Sequence, residues 1–216
     1  MYHNVGGASE LVRQLARRVA GEGYVCAMPD LYYRLGKIVI DPDSKAPPVL
    51  AIRKTLLDSL SDAGVMADTA ATLALLESDP AVAPGPKGTV GFCMGGRFVV
   101  QAGATFAEIL RANASLFGTR MVTDAADSPH QLLDRLKGEA YFGMAEHDHL
   151  FPLDQVSRFM ERVRAKCGAA WTHDLHVGAH HGYSFPGRPV YQEAAAELSW
   201  RRIFDMYRRV LKGAPA

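Results

Sequence analysis

The hexapeptide Gly91-Phe-Cys-Met-Gly-Gly96 decides how the rest of the chain is interpreted. A β-prone run, 88–92, leads into it, and a run compatible with a helix, 97–106, follows it. Glycines on both sides of a nucleophilic residue let the backbone turn sharply and let the helix approach the strand closely. The pattern therefore predicts an elbow that carries the Cys93 thiol at the carboxyl end of a strand, where open α/β sheets bind ligands. The stretch is also compatible with a glycine-rich turn in which Cys93 is only a small buried apolar residue.

Length and composition are those of an ordinary globular enzyme domain. The chain has 216 residues, with 24 Lys and Arg against 23 Asp and Glu, so charge indicates neither a nucleic-acid nor a membrane partner. No apolar run has the ~18 residues of a membrane span, and we expect no signal peptide. Cys26, Cys93 and Cys167 lack C-x-x-C spacing, which argues against a disulfide framework or cysteine zinc site and for a reducing cytoplasm. We expect one domain over residues 1–216.

Strand and helix patterns alternate along the chain. Strands are predicted at 24–28, 88–92, 114–117, 140–144 and 171–177, and the first helix is predicted to begin after Ser9. Further helices are predicted at about 49–60, 65–78, 97–106, 155–166 and 191–211. The alternation predicts an α/β fold, a three-layer sandwich in which helices cover both faces of a mostly parallel central sheet. Catalytic side chains should then lie in the loops that follow strands.

Three such loops carry reactive side chains. They are the elbow with Cys93, the segment 146–149 (Glu-His-Asp-His) and the segment 178–183 (Gly-Ala-His-His-Gly-Tyr). A nucleophile, an acid and a histidine in this chain order match the α/β-hydrolase triad. A thiol is mostly protonated at neutral pH and needs a base. An imidazole can take its proton, and a carboxylate on the far ring nitrogen fixes the orientation of that imidazole.

These motifs together resemble the dienelactone hydrolase family. The resemblance is carried by 29–34 (Pro-Asp-Leu-Tyr-Tyr-Arg), 91–96, 142–152 (Phe-Gly-Met-Ala-Glu-His-Asp-His-Leu-Phe-Pro), 178–183 and the tail with Arg188, Tyr191 and Trp200. It covers nearly the whole chain and implies a fold of the α/β-hydrolase type. It implies that Cys93 is the nucleophile, Asp148 the orienting acid and His181 the general base. It also implies a hydrolase of cyclic enol-lactones or other small carboxylic esters, without metal or organic cofactor.

Each assignment has a competitor in the sequence. His180 competes with His181, but the Gly-Ala-x-His-Gly-aromatic register favours His181 as base. Glu146 competes with Asp148, and the position of Asp148 before the Phe-Pro pair favours it as acid. Histidines 147, 149, 180 and 181 suggest a metal site, since imidazoles are common ligands. Adjacent residues point apart, so we expect no metal.

The oxyanion hole is predicted to use two backbone N–H groups. One belongs to Met94, the residue after the nucleophile, and the second to the loop after the first central strand. Register places that loop at residues 3–5, with Asn4 as the candidate. Family members often hold an acidic residue near this point, where this sequence has His3.

Several residues are predicted to bind the substrate. By the resemblance, Arg34 contacts a substrate carboxylate through a bidentate pair; the alternative is a solvated loop charge. The second carboxylate-binding arginine of the family corresponds to Phe185, with Arg188 further along, which leaves specificity for dienelactone open. The predicted pocket walls are Tyr32, Tyr33, Tyr183 and Phe151.

The family normally has two edge strands and a central strand before residues 3–5. We therefore expect upstream strands that precede this sequence, a rearranged sheet, or completion of the sheet by another chain. The expected partner is a small ester or lactone, with no nucleic acid and no membrane, and the expected assembly is a monomer or homodimer. The alternative function is a non-catalytic binding or interaction protein on an α/β-hydrolase fold.

Overall fold

The computed structural model describes residues 1–166 and 171–213. Cys167 lies outside the described residues. The chain divides into two compact units, Met1–Pro84 and Gly85–Ala216. Among the described residues, no helix combines the length and the apolar character that crossing a bilayer requires.

The first unit contains three helices. They are α1 (Glu10–Gly21), α2 (Pro47–Asp58) and α3 (Asp62–Ser78). Ser9 caps α1 as predicted, because its hydroxyl accepts the Val12 N–H at 3.5 Å. Ser61 caps α3 in the same way, satisfying an amide that the helix itself leaves unused.

The predicted strand at 24–28 is wrong. The structure assigns no strand there, and Val25 is 50% exposed. A strand needs a neighbour along its length, but within residues 1–84 the strand-type pairing is confined to a single bridge residue, Tyr2. One hydrogen bond, from the Met1 amino group to the Ala27 carbonyl at 2.7 Å, connects the segment to the start of the chain.

The second unit is built on a four-stranded sheet. Its strands are β1 (Lys87–Phe92), β2 (Leu110–Leu116), β3 (Glu139–His147) and β4 (Trp171–His180). They lie in the order β1-β2-β3-β4, and every neighbouring pair is parallel. The helices of this unit are α4 (Met94–Thr105), α5 (Pro129–Leu132), α6 (Leu153–Lys166) and α7 (Glu193–Lys212), with a short 3-10 helix at Leu133–Arg135. The predicted α/β fold with a parallel sheet is confirmed.

Helices cover both faces of this sheet. A Cβ added to Gly91 would lie 2.6 Å from the Gly95 carbonyl carbon in α4, so Gly91 faces α4. A Cβ added to Gly88 would lie 3.0 Å from side-chain atoms of Tyr207 and Leu211 in α7. Because these two positions have opposite parity in β1, α4 and α7 lie on opposite faces. The unit is a three-layer sandwich.

The two faces have different cores. On the α4 and α6 side, Phe142 and Met144 of β3 pack in an aliphatic-rich cluster with Phe159 and Met160 of α6. The α7 side is aromatic: the ring centroid of Phe92 lies 5.2 Å from that of Phe185 and 6.1 Å from that of Trp200. All four carboxyl ends of the parallel strands meet at one edge of the sheet.

Gly91→Ala should destabilise the protein more than Gly88→Ala, although both glycines lie in β1. The added methyl group at position 91 meets helix backbone, whereas at position 88 it meets mostly the far ends of two side chains. We expect Gly91→Ala to lower the free energy of unfolding by about 1–3 kcal/mol, measured by urea denaturation. Equal losses in the two variants would contradict this account of the elbow.

Candidate active site

Cys93 occupies a strained turn between β1 and α4. Its backbone has φ 58° and ψ −122°, a conformation that costs a non-glycine residue roughly 1–3 kcal/mol. Three backbone hydrogen bonds hold the turn. The Cys93 N–H donates to Leu116 at 3.1 Å, and its carbonyl accepts from Gly96 at 2.9 Å and from Thr119 at 3.0 Å. The predicted strand–turn–helix geometry is present.

The start of α4 fits closely against the end of β2. A Cβ added to Gly96 would lie 2.6 Å from both Gly118 Cα and Ser115 Oγ, so this position needs glycine. Met94 is the first residue of α4. Its N–H belongs to the first turn of a helix, which carries the partial positive charge of the helix dipole. That location suits a donor to a developing oxyanion.

Asp148, rather than Glu146, pairs with the histidine. Its side chain is almost fully buried, and its Oδ2 accepts a hydrogen bond from His181 Nδ1 at 2.7 Å. Its Oδ1 accepts the Leu150 N–H at 2.9 Å, which orients the carboxylate. Glu146 instead accepts the Gly178 N–H at 2.8 Å.

The two adjacent histidines have different surroundings. His180 is exposed, and its ring centroid lies 5.1 Å from that of His147. His181 turns toward Asp148 and packs edge-on against Phe117, with ring centroids 5.1 Å apart. Within residues 1–166 and 171–213, no three His, Cys, Asp or Glu side chains form a group able to hold a metal ion.

His181 is electrostatically coupled to Cys93. Burial alone lowers its pKa, but the Cys93 thiolate and the hydrogen-bonded Asp148 carboxylate outweigh burial and raise the pKa to about 10. Its Nε2 is buried. A side-chain hydrogen bond with Cys93 also contributes to the raised pKa. Since Nδ1 is committed to Asp148, Nε2 is the ring nitrogen that can exchange a proton with the thiol.

Asn4, the second predicted oxyanion donor, lies in a tight turn of the first unit. Its Oδ1 accepts the Gly6 N–H at 3.0 Å, and its carbonyl accepts the Gly7 N–H at 3.1 Å. The fully buried His3 braces this turn: Nε2 accepts the Leu31 N–H at 3.0 Å, so the neutral ring donates from Nδ1 to the Asn4 carbonyl at 2.6 Å. Burial lowers the pKa of His3, consistent with the neutral ring. The oxyanion role of Asn4 stays a prediction.

Arg34 is about half exposed, and its charge is paired within the first unit. Its guanidinium forms a bidentate pair with Asp68, at 2.7 Å for each nitrogen–oxygen contact. The exposed Tyr33 donates its hydroxyl to the same carboxylate at 3.2 Å, and the guanidinium lies over the Tyr33 ring. Both predicted substrate-binding side chains are thus engaged with Asp68 within the first unit.

Three residues of the second unit that are candidates for substrate binding are buried or half-buried. Tyr183 is fully buried, with its hydroxyl 2.9 Å from Ser199 Oγ. Phe151 belongs to the core cluster around Phe159. Arg188 is half-buried, and its guanidinium packs against the position of the missing Cβ of Gly182. Both aromatic side chains are buried, and their role as pocket walls stays a prediction.

Sequence reasoning missed two residues near this site, the ring that contacts His181 and a buried serine. Phe117 adopts φ 39° at the end of β2 and places its ring against His181; the pattern indicated only a strand end there. Ser199 lies in the last predicted helix with no assigned role. The one feature of the sequence that could have drawn attention to Ser199 is that a serine stands among the apolar positions of that helix.

The elbow, the parallel sheet and the Asp148–His181 pair define an enzyme of the α/β-hydrolase class. A sequence profile of the Dienelactone hydrolase family matches residues 1–211, and the chain belongs to that family. It is 27% identical over 209 residues to a provisionally named carboxymethylenebutenolidase of Synechocystis sp., covering 95% of this chain and 83% of the relative. The carboxymethylenebutenolidase of Rhodococcus opacus is 24% identical over 212 residues, with 96% and 79% covered.

A solved structure gives the same result. The crystal structure of a provisionally assigned dienelactone hydrolase from Klebsiella pneumoniae superposes with a TM-score of 0.78 at 26% identity, covering 96% of this chain and 85% of the other. The chain is therefore a dienelactone hydrolase-like hydrolase.

Asp148→Asn should lower the pKa of His181, because it removes a negative charge from the Nδ1 side while burial remains. We expect a fall of about 1–3 pH units, measured by titrating the imidazole nitrogen resonances by NMR. Glu146→Gln is the matched control and should leave the His181 titration unchanged. An unchanged His181 pKa in the Asp148→Asn variant would refute the pairing.

Proposed function

We propose that this protein hydrolyses a small carboxylic ester or lactone through a Cys93–His181–Asp148 triad and a thiol-ester intermediate. The observation that supports this proposal most is the buried Asp148–His181 hydrogen bond of 2.7 Å beside the strained Cys93 elbow. Asp148 orients the ring, His181 moves the proton and Cys93 forms the covalent bond. These three roles require no metal or organic cofactor.

In the acylation step, the Cys93 sulfur attacks the substrate carbonyl carbon and the carbonyl electron pair moves to oxygen. The Met94 N–H, at the amino end of α4, stabilises that oxyanion. When the intermediate collapses, the carbon–oxygen bond to the leaving group breaks. The departing alkoxide takes the proton from His181 Nε2, which leaves an acyl thiol ester on Cys93.

In the deacylation step, His181 Nε2 removes a proton from water as its oxygen attacks the thiol ester. The second intermediate expels the Cys93 thiolate and releases the carboxylic acid, which loses its proton to solvent. The imidazolium and the thiolate are thereby restored. The raised pKa of His181, about 10, favours this ion pair at neutral pH.

The proposed substrate class, an ester or lactone, rests on the similarity to relatives that are named as carboxymethylenebutenolidases. The bidentate Arg34–Asp68 pair gives no support for recognition of a substrate carboxylate by Arg34. Because catalysis depends on a reduced thiol, we propose a reducing compartment such as the cytoplasm. Assembly as a monomer or homodimer remains a prediction.

Cys93→Ala should reduce hydrolysis of an activated short-chain ester, such as p-nitrophenyl acetate, by at least about 1,000-fold, because it removes the attacking atom. Cys26→Ala is the matched control, since Cys26 is a second described cysteine outside the triad. Its rate should stay close to that of the parent chain. Unchanged far-UV circular dichroism verifies the fold, and full activity in Cys93→Ala would eliminate the mechanism.

The rate of Cys93 alkylation by iodoacetamide should rise at a pH well below the value of about 8.5 expected for an ordinary thiol. The reason is that protonated His181 stabilises the thiolate, and its raised pKa keeps it protonated until the pH approaches about 10. Mass spectrometry of the Cys93 peptide separates this reaction from that of the other cysteines. An ordinary thiol profile would favour the non-catalytic alternative.

A further inference from the structure

A buried polar cluster lies beneath the loop that carries His181. Its centre is Ser199 of α7, whose Oγ is 3.1 Å from the Tyr141 hydroxyl, 3.0 Å from His176 Nε2 and 2.9 Å from the Tyr183 hydroxyl. Ser199, Tyr141 and Tyr183 are fully buried, and His176 is 6% exposed. We call these four residues the Ser199 cluster.

One arrangement of the protons satisfies all four members of the Ser199 cluster. A serine hydroxyl donates one hydrogen bond and accepts two. Burial raises the pKa values of Tyr141 and Tyr183, so both remain protonated and donate to Ser199. Ser199 then donates to His176 Nε2. Burial lowers the pKa of His176, which favours the neutral ring, and in this arrangement its Nε2 is the acceptor.

Tyr183 is held at three points, only two residues beyond His181. Its N–H donates to the His180 carbonyl at 3.1 Å, its carbonyl accepts the Gln192 N–H at 3.0 Å, and its hydroxyl is bound by Ser199. Gly182, at φ 91°, is the single residue between Tyr183 and the histidine. A change in the position of the Tyr183 ring can therefore change the position of His181 through this one short turn.

The Phe117 ring forms a second connection between the same two residues. Its centroid lies 5.3 Å from the Tyr183 ring and 5.1 Å from the His181 ring, edge-on to both. On the other side, a Cβ added to Gly143 would lie 2.5 Å from the Tyr183 hydroxyl. The ring thus fits between Phe117 and β3, and the hydroxyl fixes its depth.

We propose that Tyr183, anchored by Ser199, is a positioning residue that sets the placement of His181 relative to Cys93. This inference rests on the proposed function. The hydroxyl touches neither substrate nor reacting atoms. It acts by holding the imidazole at the distance and angle at which Nε2 can accept the thiol proton. Directional hydrogen bonds fix such an angle, whereas apolar packing alone leaves the ring free to tilt.

Tyr141 provides a matched control for this role. Like Tyr183, it is a fully buried tyrosine that donates to Ser199, but its backbone belongs to β3 rather than to the loop that carries His181. Tyr183→Phe and Tyr141→Phe each remove one hydroxyl from the same serine. Both should lower the melting temperature. Only Tyr183→Phe should disturb the Cys93–His181 pair.

The test measures the pH profile of Cys93 alkylation by iodoacetamide in the full chain, together with hydrolysis of p-nitrophenyl acetate. We expect Tyr183→Phe to slow alkylation at pH 7 and hydrolysis by about 10- to 100-fold, and to move the alkylation profile toward that of an ordinary thiol. Tyr141→Phe should keep the parent profile. Ser199→Ala removes the anchor while leaving Tyr183 in place, and it should reproduce the Tyr183→Phe profile.

The outcomes separate this inference from the proposed function. An ordinary thiol profile in the parent chain contradicts the triad itself and, with it, the positioning role. A shifted parent profile that Tyr183→Phe leaves unchanged overturns the positioning role alone. Equal slowing by Tyr183→Phe and Tyr141→Phe also overturns it, because general loosening of the core would then explain the effect.

Discussion

The hydrogen bond between His181 and Asp148 is the contact on which the geometry of the site depends. It joins side chains 33 residues apart, and it can form because β3 and β4 are parallel neighbours paired as His147 with His180. The register shifts between Ala145 and His147, and such irregularities re-aim the residues that follow them. A slip of one residue would turn the alternating side chains to the other face. The Glu146–Gly178 hydrogen bond lies at this point and holds the register.

Backbone strain is concentrated at the ends of two neighbouring strands. Cys93 follows β1 with φ 58°, and Phe117 follows β2 with φ 39°. Each is fixed by its neighbour: the Cys93 N–H donates to Leu116, and the Phe117 N–H donates to Gly143 at 2.7 Å. The end of β1 is thus tied to β2, and the end of β2 to β3. This chain of hydrogen bonds places the thiol and the Phe117 ring on the same edge as His181.

Local patterns in the sequence predicted those features of the fold that depend on local backbone geometry. The elbow, the Ser9 cap and the strand–helix alternation follow from residue spacing and turn chemistry, and the triad candidates follow from their positions after strands. The segment 24–28 was apolar enough for a strand, but strand formation depends on a pairing partner that its own composition cannot specify. Arg34 was predicted to pair with a substrate carboxylate, and in the structure it pairs with a carboxylate of the chain itself. Its partner, Asp68, lies 34 residues away in α3, where no local signal marks it.

The depth of Tyr183 could not be predicted for a related reason. A tyrosine close to a candidate catalytic histidine fits a pocket wall and a buried support equally well. The two roles differ only in the group that the tyrosine hydroxyl contacts. Here it meets Ser199, on the aromatic face of the sheet, while the opposite face is packed largely by aliphatic side chains and Met. Apolar packing stabilises a fold without fixing small rotations of a ring, because dispersion contacts are individually weak and numerous. Hydrogen bonds constrain direction. The proposed Cys93–His181 pair depends on both distance and angle, so polar groups are better suited than apolar packing to support its histidine. The Ser199 cluster lies on the face of the sheet beneath His181.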